Sequence, residues 1–247
     1  MEGVVANDHP ALEETAHRPW PLPDRPWRWR QSWQQLVFLH WEIPAEYIRP
    51  LIPPGLELDT FDGVAWIGLV PFDMKGVTLR GVPPLAAVSD FPEINVRTYV
   101  SAKGKPGVWF FSLDVPDRLT VWIARRFFHL PYHRGAVSIR RERDEVHYEA
   151  QHPNRRFSAR YRSTGEPISE LSAFGRWATE RYCLYSCDPK GRVFRGEIHH
   201  RQWPLEWATI DLQENTYLAP YPVGPRHPEI LYSESIDVVL WPLQQVS

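Results

Sequence analysis

Short β-rich runs, repeatedly broken by proline and glycine, are the feature of this sequence that most restricts its fold. The chain has 247 residues, of which 25 are proline and 14 are glycine. Such breakers interrupt helices and favour turns between short strands. The β-rich runs follow one another without the alternating strand and helix that a parallel sheet needs. The pattern therefore predicts one antiparallel α+β domain with nine or ten strands and two main helices.

Composition narrows the class of protein and its compartment. A formal net charge of −2 and an isoelectric point near 6.6 argue against a nucleic-acid partner. The run RPWRWRQSW from Arg25 interleaves arginine with tryptophan, which suits either a nucleic-acid platform or a cover for the end of a sheet, and the weak basic charge favours the cover. Cys183 and Cys187 form no disulfide framework, so we expect a reducing cytoplasm. No signal peptide or membrane-spanning run is evident.

The sequence divides into a leader and one domain. Residues 1–24 are polar and aperiodic, and we expect them to be a flexible or surface-draped leader, with a single domain over 25–247. Pro44 at a first turn and the stop at Pro53-Pro54-Gly55 predict a short helix over 44–52. Apolar spacing predicts helices over 117–130 and 169–182.

Two connections are predicted between strands early in the chain. The Asp62-Gly63 turn signal predicts a hairpin that joins residues 56–61 to the strand after Gly63. Residues 75–92 are long and broken by glycine and proline, which predicts a functional loop or lid.

The clearest local element is the hairpin EINVRTYV–AKGKPG–VWFFSLD. Alternate side chains of a strand share a face, so Glu93, Asn95 and Arg97 point the same way. A turn centred on Gly104 and Lys105 would place Asn95 opposite Asp114 and Arg97 opposite Ser112. We therefore expect one face to carry five polar groups, Glu93, Asn95, Arg97, Ser112 and Asp114.

That polar face admits two interpretations. A partly desolvated set of charged groups shifts pKa values and allows a carboxylate to act as acid or base. The same set could instead be a structural ion network that fixes strand register. His40, on the first strand, is a further candidate for the same cavity.

Metal and cofactor motifs are weak or absent. No dinucleotide, phosphate-loop or hydrolase signature occurs, so no cofactor is predicted. Adjacent His199 and His200 would point to opposite faces of a strand, and Pro131 interrupts the spacing of His129 and His133. We therefore predict no metal site.

A family resemblance rests on three stretches. They are HWEIPAEYIRPLIPPGLELDTFDGVAWIGLVPF, the hairpin FPEINVRTYV with GKPGVWFFSLD, and VWIARRFFHLPYHRGAV. The chain resembles the bacterial domain of unknown function 2071 family over about residues 25–245. That family is similar, more distantly, to the acetoacetate decarboxylase-like superfamily. The resemblance implies a curved antiparallel sheet that closes into a cone or barrel around a small polar cavity, and it allows for a homo-oligomer.

The resemblance also bears on the chemistry. Lysine-bearing members of the superfamily form a Schiff base in the turn after the long helix, which here reads Leu130 to Arg134 and has no lysine. Glu93 matches an acidic residue of that site. Tyr132 and His133 occupy the place of the lysine, and Arg97 or Arg134 would anchor an anion. The resemblance thus implies the cavity without Schiff-base decarboxylation.

Two functional hypotheses follow, both with a small-molecule partner and neither with nucleic acid or membrane. In the first, the chain is an enzyme for an organic carboxylate or carbonyl compound. Arg97 holds the anion, and Glu93 with Tyr132 or His133 transfers a proton. In the second, the chain is a non-catalytic ligand-binding or sensor module. A purely structural role remains if no cavity exists. The hypotheses require different geometry, because the enzyme needs Glu93, Arg97 and Tyr132 around one cavity.

Overall fold

A computed structural model describes residues 9–85, 89–224 and 228–246. The described residues form fourteen strands and three α-helices. The strands are β1 Trp29–Ile43, β2 Glu57–Leu58, β3 Ala65–Leu79, β4 Phe91–Ala102, β5 Lys105–Val115, β6 Tyr132–Arg134, β7 Ala136–Glu142, β8 Glu145–His152, β9 Arg155–Pro167, β10 Cys183–Cys187, β11 Val193–His199, β12 Leu205–Asn215, β13 Glu229–Leu240 and β14 Gln244–Gln245. The helices are α1 Ala45–Ile48, α2 Arg118–Ile123 and α3 Ala173–Thr179. No helix in the described ranges is long and apolar enough to cross a membrane.

The strands form one sheet that curves back on itself. Its order runs β14-β11-β10-β5-β4-β3-β1-β13-β12-β9-β8-β7, and an additional pairing of β11 with β13 closes seven of these strands into a ring. Most pairs are antiparallel, as predicted, whereas β5 pairs in parallel with β10 and with β6. The α+β class and the cone-like curved sheet are confirmed.

Two apolar cores lie on the two faces of the ring. Leu36, Phe38, Val70 and Phe72 belong to the inner core. The alternate residues of the same strands, such as Val37 and Leu39, face outward and pack with side chains of β7, β8 and β9. The ring strands are therefore covered on both faces, which explains their nearly continuous apolar runs.

Several local predictions hold and others shift. Residues 44–52 contain α1 followed by a 3-10 turn, and α2 continues through a π-helical turn over Ala124–Phe128. The third helix is shorter than predicted, because Ser172 caps it by accepting a hydrogen bond from the Gly175 amide at 2.9 Å.

The early hairpin prediction was wrong in its pairing. The turn at Asp62 and Gly63 forms, but only a single bridge joins Phe61 to Val64. Strand β2 pairs with β4 instead of β3. The predicted connection over 75–92 is also shorter, since β3 continues to Leu79, and residues 86–88 of it lie outside the described residues.

The described part of the leader is packed against the domain. Ala11 and Leu12 are buried with Trp241. Arg18 is buried and forms an ion pair with Glu197 on β11 at 2.7 Å. Residues 9–24 are therefore draped over the surface and held there in part by a buried ion pair, which fits the surface-draped alternative for the part of the leader that the structure describes.

Candidate functional site

A cavity of about 350 Å³ lies inside the ring. Side chains from the inner faces of β1, β3, β4 and β5 line it, together with α2 and the segments that precede β10 and β12. Its lining is predominantly apolar, and its main polar groups are Glu93, Asn95, Arg97, Tyr132, Arg181 and His200. The prediction of a small polar cavity is thus correct for one part of the wall only.

Irregularities in the strands decide which side chains face the cavity. Gln35 has a φ of 50°, and the register of β1 against β3 shifts near it, so that Trp33 and Leu36 both face inward. On β5, a similar shift at Phe111 brings Phe110 and Leu113 to the cavity. Two β-bulges therefore set the composition of the wall.

The predicted hairpin exists, but its turn and register differ. The turn is centred on Lys103 and Gly104, whose φ values are 52° and 72°, as a two-residue hairpin turn requires. Arg97 is consequently opposite Phe110 instead of Ser112. This displacement changes the partners and leaves the faces unchanged, because it shifts the register by two residues.

The bulge at Phe111 turns two of the predicted site residues, Ser112 and Asp114, away from the cavity. Ser112 pairs with Val96 and Asp114 pairs with Ile94, so both point to the outer face of the ring. There Asp114 is fully buried. It accepts hydrogen bonds from Arg155 at 2.5 and 3.0 Å and from Tyr217 at 2.7 Å. The prediction that Ser112 and Asp114 share the cavity face was wrong.

Glu93, Asn95 and Tyr132 meet on the cavity wall. The Tyr132 hydroxyl donates to Glu93 Oε2 at 2.7 Å, and Asn95 Nδ2 donates to Glu93 Oε1 at 3.3 Å. Burial raises the pKa of Glu93 to about 7, although both hydrogen bonds favour its ionised form. Burial and the nearby carboxyl raise the pKa of Tyr132 well above its usual value, so the phenol remains protonated.

A second polar cluster on the cavity wall contains Arg97 together with Arg181, which the sequence did not reveal. The guanidinium of Arg97 lies 5.8 Å from the Tyr99 ring centroid, and that of Arg181 lies 4.7 Å from the same centroid. Arg181 is paired with Asp59 at 2.5 Å, whereas no carboxylate pairs with Arg97 among the described residues. Two guanidinium groups therefore line this part of the cavity, and one of them is paired with a carboxylate that lies outside the lining.

Four buried polar atoms on the cavity wall have no hydrogen-bond partner in the described part of the chain. Three are donors, Trp33 Nε1, Arg97 Nε and Arg181 Nη2, and the fourth is the acceptor Asn95 Oδ1. Because a buried polar group without a partner is costly, we expect a water molecule, an ion or a ligand to bind these four atoms. The excess of donors favours a ligand rich in acceptors.

His133 and Arg134 lie away from the cavity. Strand β6 runs parallel to β5, with Tyr132 beside Leu113 and His133 beside Asp114, so His133 is on the outer side of the ring. Arg134 is exposed and donates to the Pro116 carbonyl at 3.3 Å. The placement of these two residues in the site was wrong, because strand alternation turns His133 away from the Tyr132 side and Arg134 lies at the exposed end of β6.

His40 is buried next to the cluster without lining the cavity. Its Nε2 lies 2.5 Å from the Tyr99 hydroxyl, and it stacks on Phe38. Burial, together with Arg97 and Arg181, holds the pKa of His40 well below its usual value. His40 is therefore neutral, and it supports the aromatic residues against which Arg97 lies.

None of the four lysines lines the cavity. Lys75 pairs with Asp73 at 2.9 Å and Lys105 with Glu197 at 2.5 Å. Lys103 is in the β4–β5 turn, and Lys190 is in the turn before β11. Among the described residues, no group of three histidines, cysteines or acids is arranged to hold a metal ion.

Sequence reasoning missed Arg181 and His200. Arg181 follows α3, and its partner Asp59 is 122 residues earlier in the chain, so no spacing connects them. His200 lines the cavity in its neutral form, since burial lowers its pKa to about 3. Its only sequence signal was the adjacent pair of histidines, which suggested opposite faces and not a cavity.

Solved structures with this arrangement of strands define the class of fold. The chain is similar to the enduracididine biosynthesis enzyme MppR complexed with pyruvate, with a TM-score of 0.65 and 13% identity over 90% of this chain and 91% of that one. It is also similar to acetoacetate decarboxylase from Legionella pneumophila, with a TM-score of 0.65 and 12% identity over 94% and 93% of the two chains. The protein thus has an acetoacetate decarboxylase-like fold.

Sequence comparison then gives the family. Residues 30–237 match the model of the domain of unknown function 2071 family, described as an uncharacterized conserved protein. The chain is 37% identical over 232 residues to the uncharacterized protein YqjF of Bacillus subtilis (strain 168), which covers 92% of this chain and 96% of the relative. The protein belongs to the domain of unknown function 2071 family, as its sequence motifs predicted.

Proposed function

We propose that the cavity binds an organic carboxylate with a carbonyl group and that Glu93 moves a proton on the bound molecule. The observation that carries this proposal is the hydrogen-bonded pair of Glu93 and Tyr132 on the same cavity wall as Arg97, which has no carboxylate partner among the described residues. This is the arrangement that the enzyme hypothesis requires.

Arg97 and Arg181 are the groups that would hold the carboxylate. A guanidinium makes two parallel hydrogen bonds to a carboxylate, and Arg97 Nε and Arg181 Nη2 are both without a protein acceptor in the described chain. The desolvated setting strengthens such a contact, because fewer water molecules screen it. An anion would also neutralise the excess positive charge beside Tyr99.

Glu93 has the properties of a general base or acid. With a pKa of about 7, it is present in both protonation states near neutral pH. Its carboxylate would accept a proton from the carbon next to the substrate carbonyl. The C–H electron pair then forms the carbon–carbon double bond of an enolate, and the negative charge moves to the carbonyl oxygen. Tyr132 acts as a positioning residue, since its hydroxyl donates to Glu93.

Hydrogen–deuterium exchange on the substrate tests this proton transfer, and it does not require the final product of the reaction to be known. The protein is incubated in D₂O with pyruvate and with longer 2-oxo acids, and loss of the C3 proton signal is followed by NMR. We expect exchange with the wild-type protein, at least about a hundredfold less with Glu93→Gln, and a reduced rate with Tyr132→Phe. Glu149→Gln, an exposed change on β8, is the matched control.

The second candidate function is a non-catalytic ligand-binding module. The predominantly apolar lining favours it, because a cavity lined by apolar side chains and a few polar groups can bind a small molecule without reacting with it. Thermal shifts with carboxylic acids separate the two functions. A shift that Arg97→Met abolishes, without any deuterium exchange, would support the binding module. No Arg97-dependent shift with any acid would contradict an anion site at Arg97, and with it the enzyme proposal.

A further inference from the structure

The two ends of the cavity differ in polarity. Along β3, the inward residues Val70 and Phe72 are opposite Asn95 and Glu93 of β4. The next inward residues of β3 extend past the end of the polar cluster to Val77, roughly 15 Å from Phe72 at the usual rise per residue. The cavity therefore has a charged inner end and a long apolar part.

The apolar part leads to the opening of the cavity. Among the lining residues, Val82 and Leu119 are each 48% exposed, which marks the place where the cavity reaches solvent. Ile123 and Phe128 of the α2 segment lie on the same wall. A molecule whose carboxylate reaches Arg97 would thus be surrounded by apolar side chains along the rest of its length.

The volume sets the size of that molecule. If each non-hydrogen atom takes about the 30 Å³ of a liquid water molecule, 350 Å³ holds about a dozen such atoms. Pyruvate has only six non-hydrogen atoms, whereas decanoate has twelve. A short acid would leave much of the apolar wall without contact.

We infer that the ligand is an amphipathic carboxylate with a medium-length alkyl or aryl tail. Its carboxylate lies at Arg97 and Arg181, and its tail extends past Met74 and Val77 toward Leu119. This inference rests on the proposed function, because it assumes that the anion binds at Arg97. Beyond the proposed function, the inference assigns an alkyl or aryl tail to the ligand, and this tail defines the substrate class.

A chain-length series tests it. Binding of butanoate, hexanoate, octanoate, decanoate and dodecanoate is measured by titration calorimetry, each below its micelle concentration. We expect affinity to rise by about fourfold per methylene, the value for burying that group, and to level off near decanoate. Decan-1-ol should bind more weakly than decanoate because it lacks the anion.

Substitutions that place a tryptophan side chain in the apolar part of the cavity test the same inference from the protein side. Val77→Trp should move the best chain length to shorter acids and leave butanoate binding unchanged. Val64→Trp, at a position outside the cavity, should change neither. Ile123→Trp narrows the same part from α2 and repeats the test if Val77→Trp fails to fold.

The outcomes separate the inference from the proposed function. If butanoate binds as tightly as decanoate and Arg97→Met abolishes both, the tail is refuted and the anion site stands. If no acid of any length binds in an Arg97-dependent way, the anion site fails and the inference fails with it. Long acids that bind equally well to wild type and to Arg97→Met would refute the assigned orientation.

Discussion

Replacing Glu93 with glutamine should make the protein more stable above about pH 5. Glu93 is 2% exposed, and burial raises its pKa from 4.5 to about 7. Glutamine has the shape of the protonated acid. It can still accept from Tyr132, and a rotated Asn95 amide would offer its Oδ1, which has no partner among the described residues, to the new NH₂ group.

The sign follows from the two pKa values. Between pH 4.5 and 7 the unfolded chain ionises Glu93 while the folded chain keeps it protonated, so the folded state binds more protons and loses stability as the pH rises. Below pH 4.5 both states are protonated and this effect vanishes. A difference of about 2.5 pKa units corresponds to about 3 kcal/mol, which is fully expressed above pH 7.

Urea denaturation at several pH values between 4 and 9 measures the effect. The free energy of unfolding of Glu93→Gln should equal that of wild type near pH 4 and exceed it by about 3 kcal/mol at pH 8. Glu149→Gln, on the surface, should stay within about 0.5 kcal/mol of wild type. A Glu93→Gln variant whose difference from wild type does not change with pH would show that Glu93 ionises in the folded protein as it does in the unfolded chain.

Three further changes test the fold. Gly107→Ala would place a Cβ 2.5 Å from the Cys183 carbonyl oxygen and should cost about 3 kcal/mol in the free energy of thermal unfolding. Gly224→Ala, with no atom within 4 Å of its Cβ, should be close to neutral. Equal effects of the two changes would contradict the close approach of β5 to β10. Lys103→Asn should raise the free energy of unfolding measured in urea by up to about 1 kcal/mol, because asparagine tolerates the positive φ of this turn better than lysine. A lower free energy of unfolding would contradict the assigned turn. Arg18→Met should cost about 1–3 kcal/mol, because it removes a charged hydrogen bond to Glu197 while Lys105 still pairs with that carboxylate. Amides of residues 9–24 should then exchange faster with deuterium, and unchanged protection would mean that other contacts hold this segment.

The choice between an enzyme and a binding module depends on the state of one carboxyl group. A titration midpoint near 7 for Glu93 would place a proton donor or acceptor at the charged inner end of the cavity. An anion at Arg97 would lie two inward positions further along β4, past Asn95. The deuterium-exchange and stability experiments therefore examine the same group by independent means.

Local patterns in the sequence determined much of the fold. Breakers and β-rich runs predicted the antiparallel α+β class, and the hairpin of β4 and β5 lies where its residues indicated. The alternation along β4 also placed Glu93, Asn95 and Arg97 on one face, because the period of two is a property of the backbone itself. That Tyr132 lies near Glu93 was implied only by the family resemblance, and in the structure the two side chains share a hydrogen bond.

Only the tertiary structure decided the rest of the site. The bulge at Phe111 turns Ser112 and Asp114 to the outer face, and the parallel pairing of β6 with β5 turns His133 the same way. Both depend on hydrogen bonds between strands, and a sequence pattern cannot show where an extra residue leaves the ladder. Arg181 joins Arg97 through closure of the ring, and the length of the apolar cavity comes from packing of distant segments. The sequence thus determined which strand carries the buried polar residues, and long-range packing determined what surrounds them.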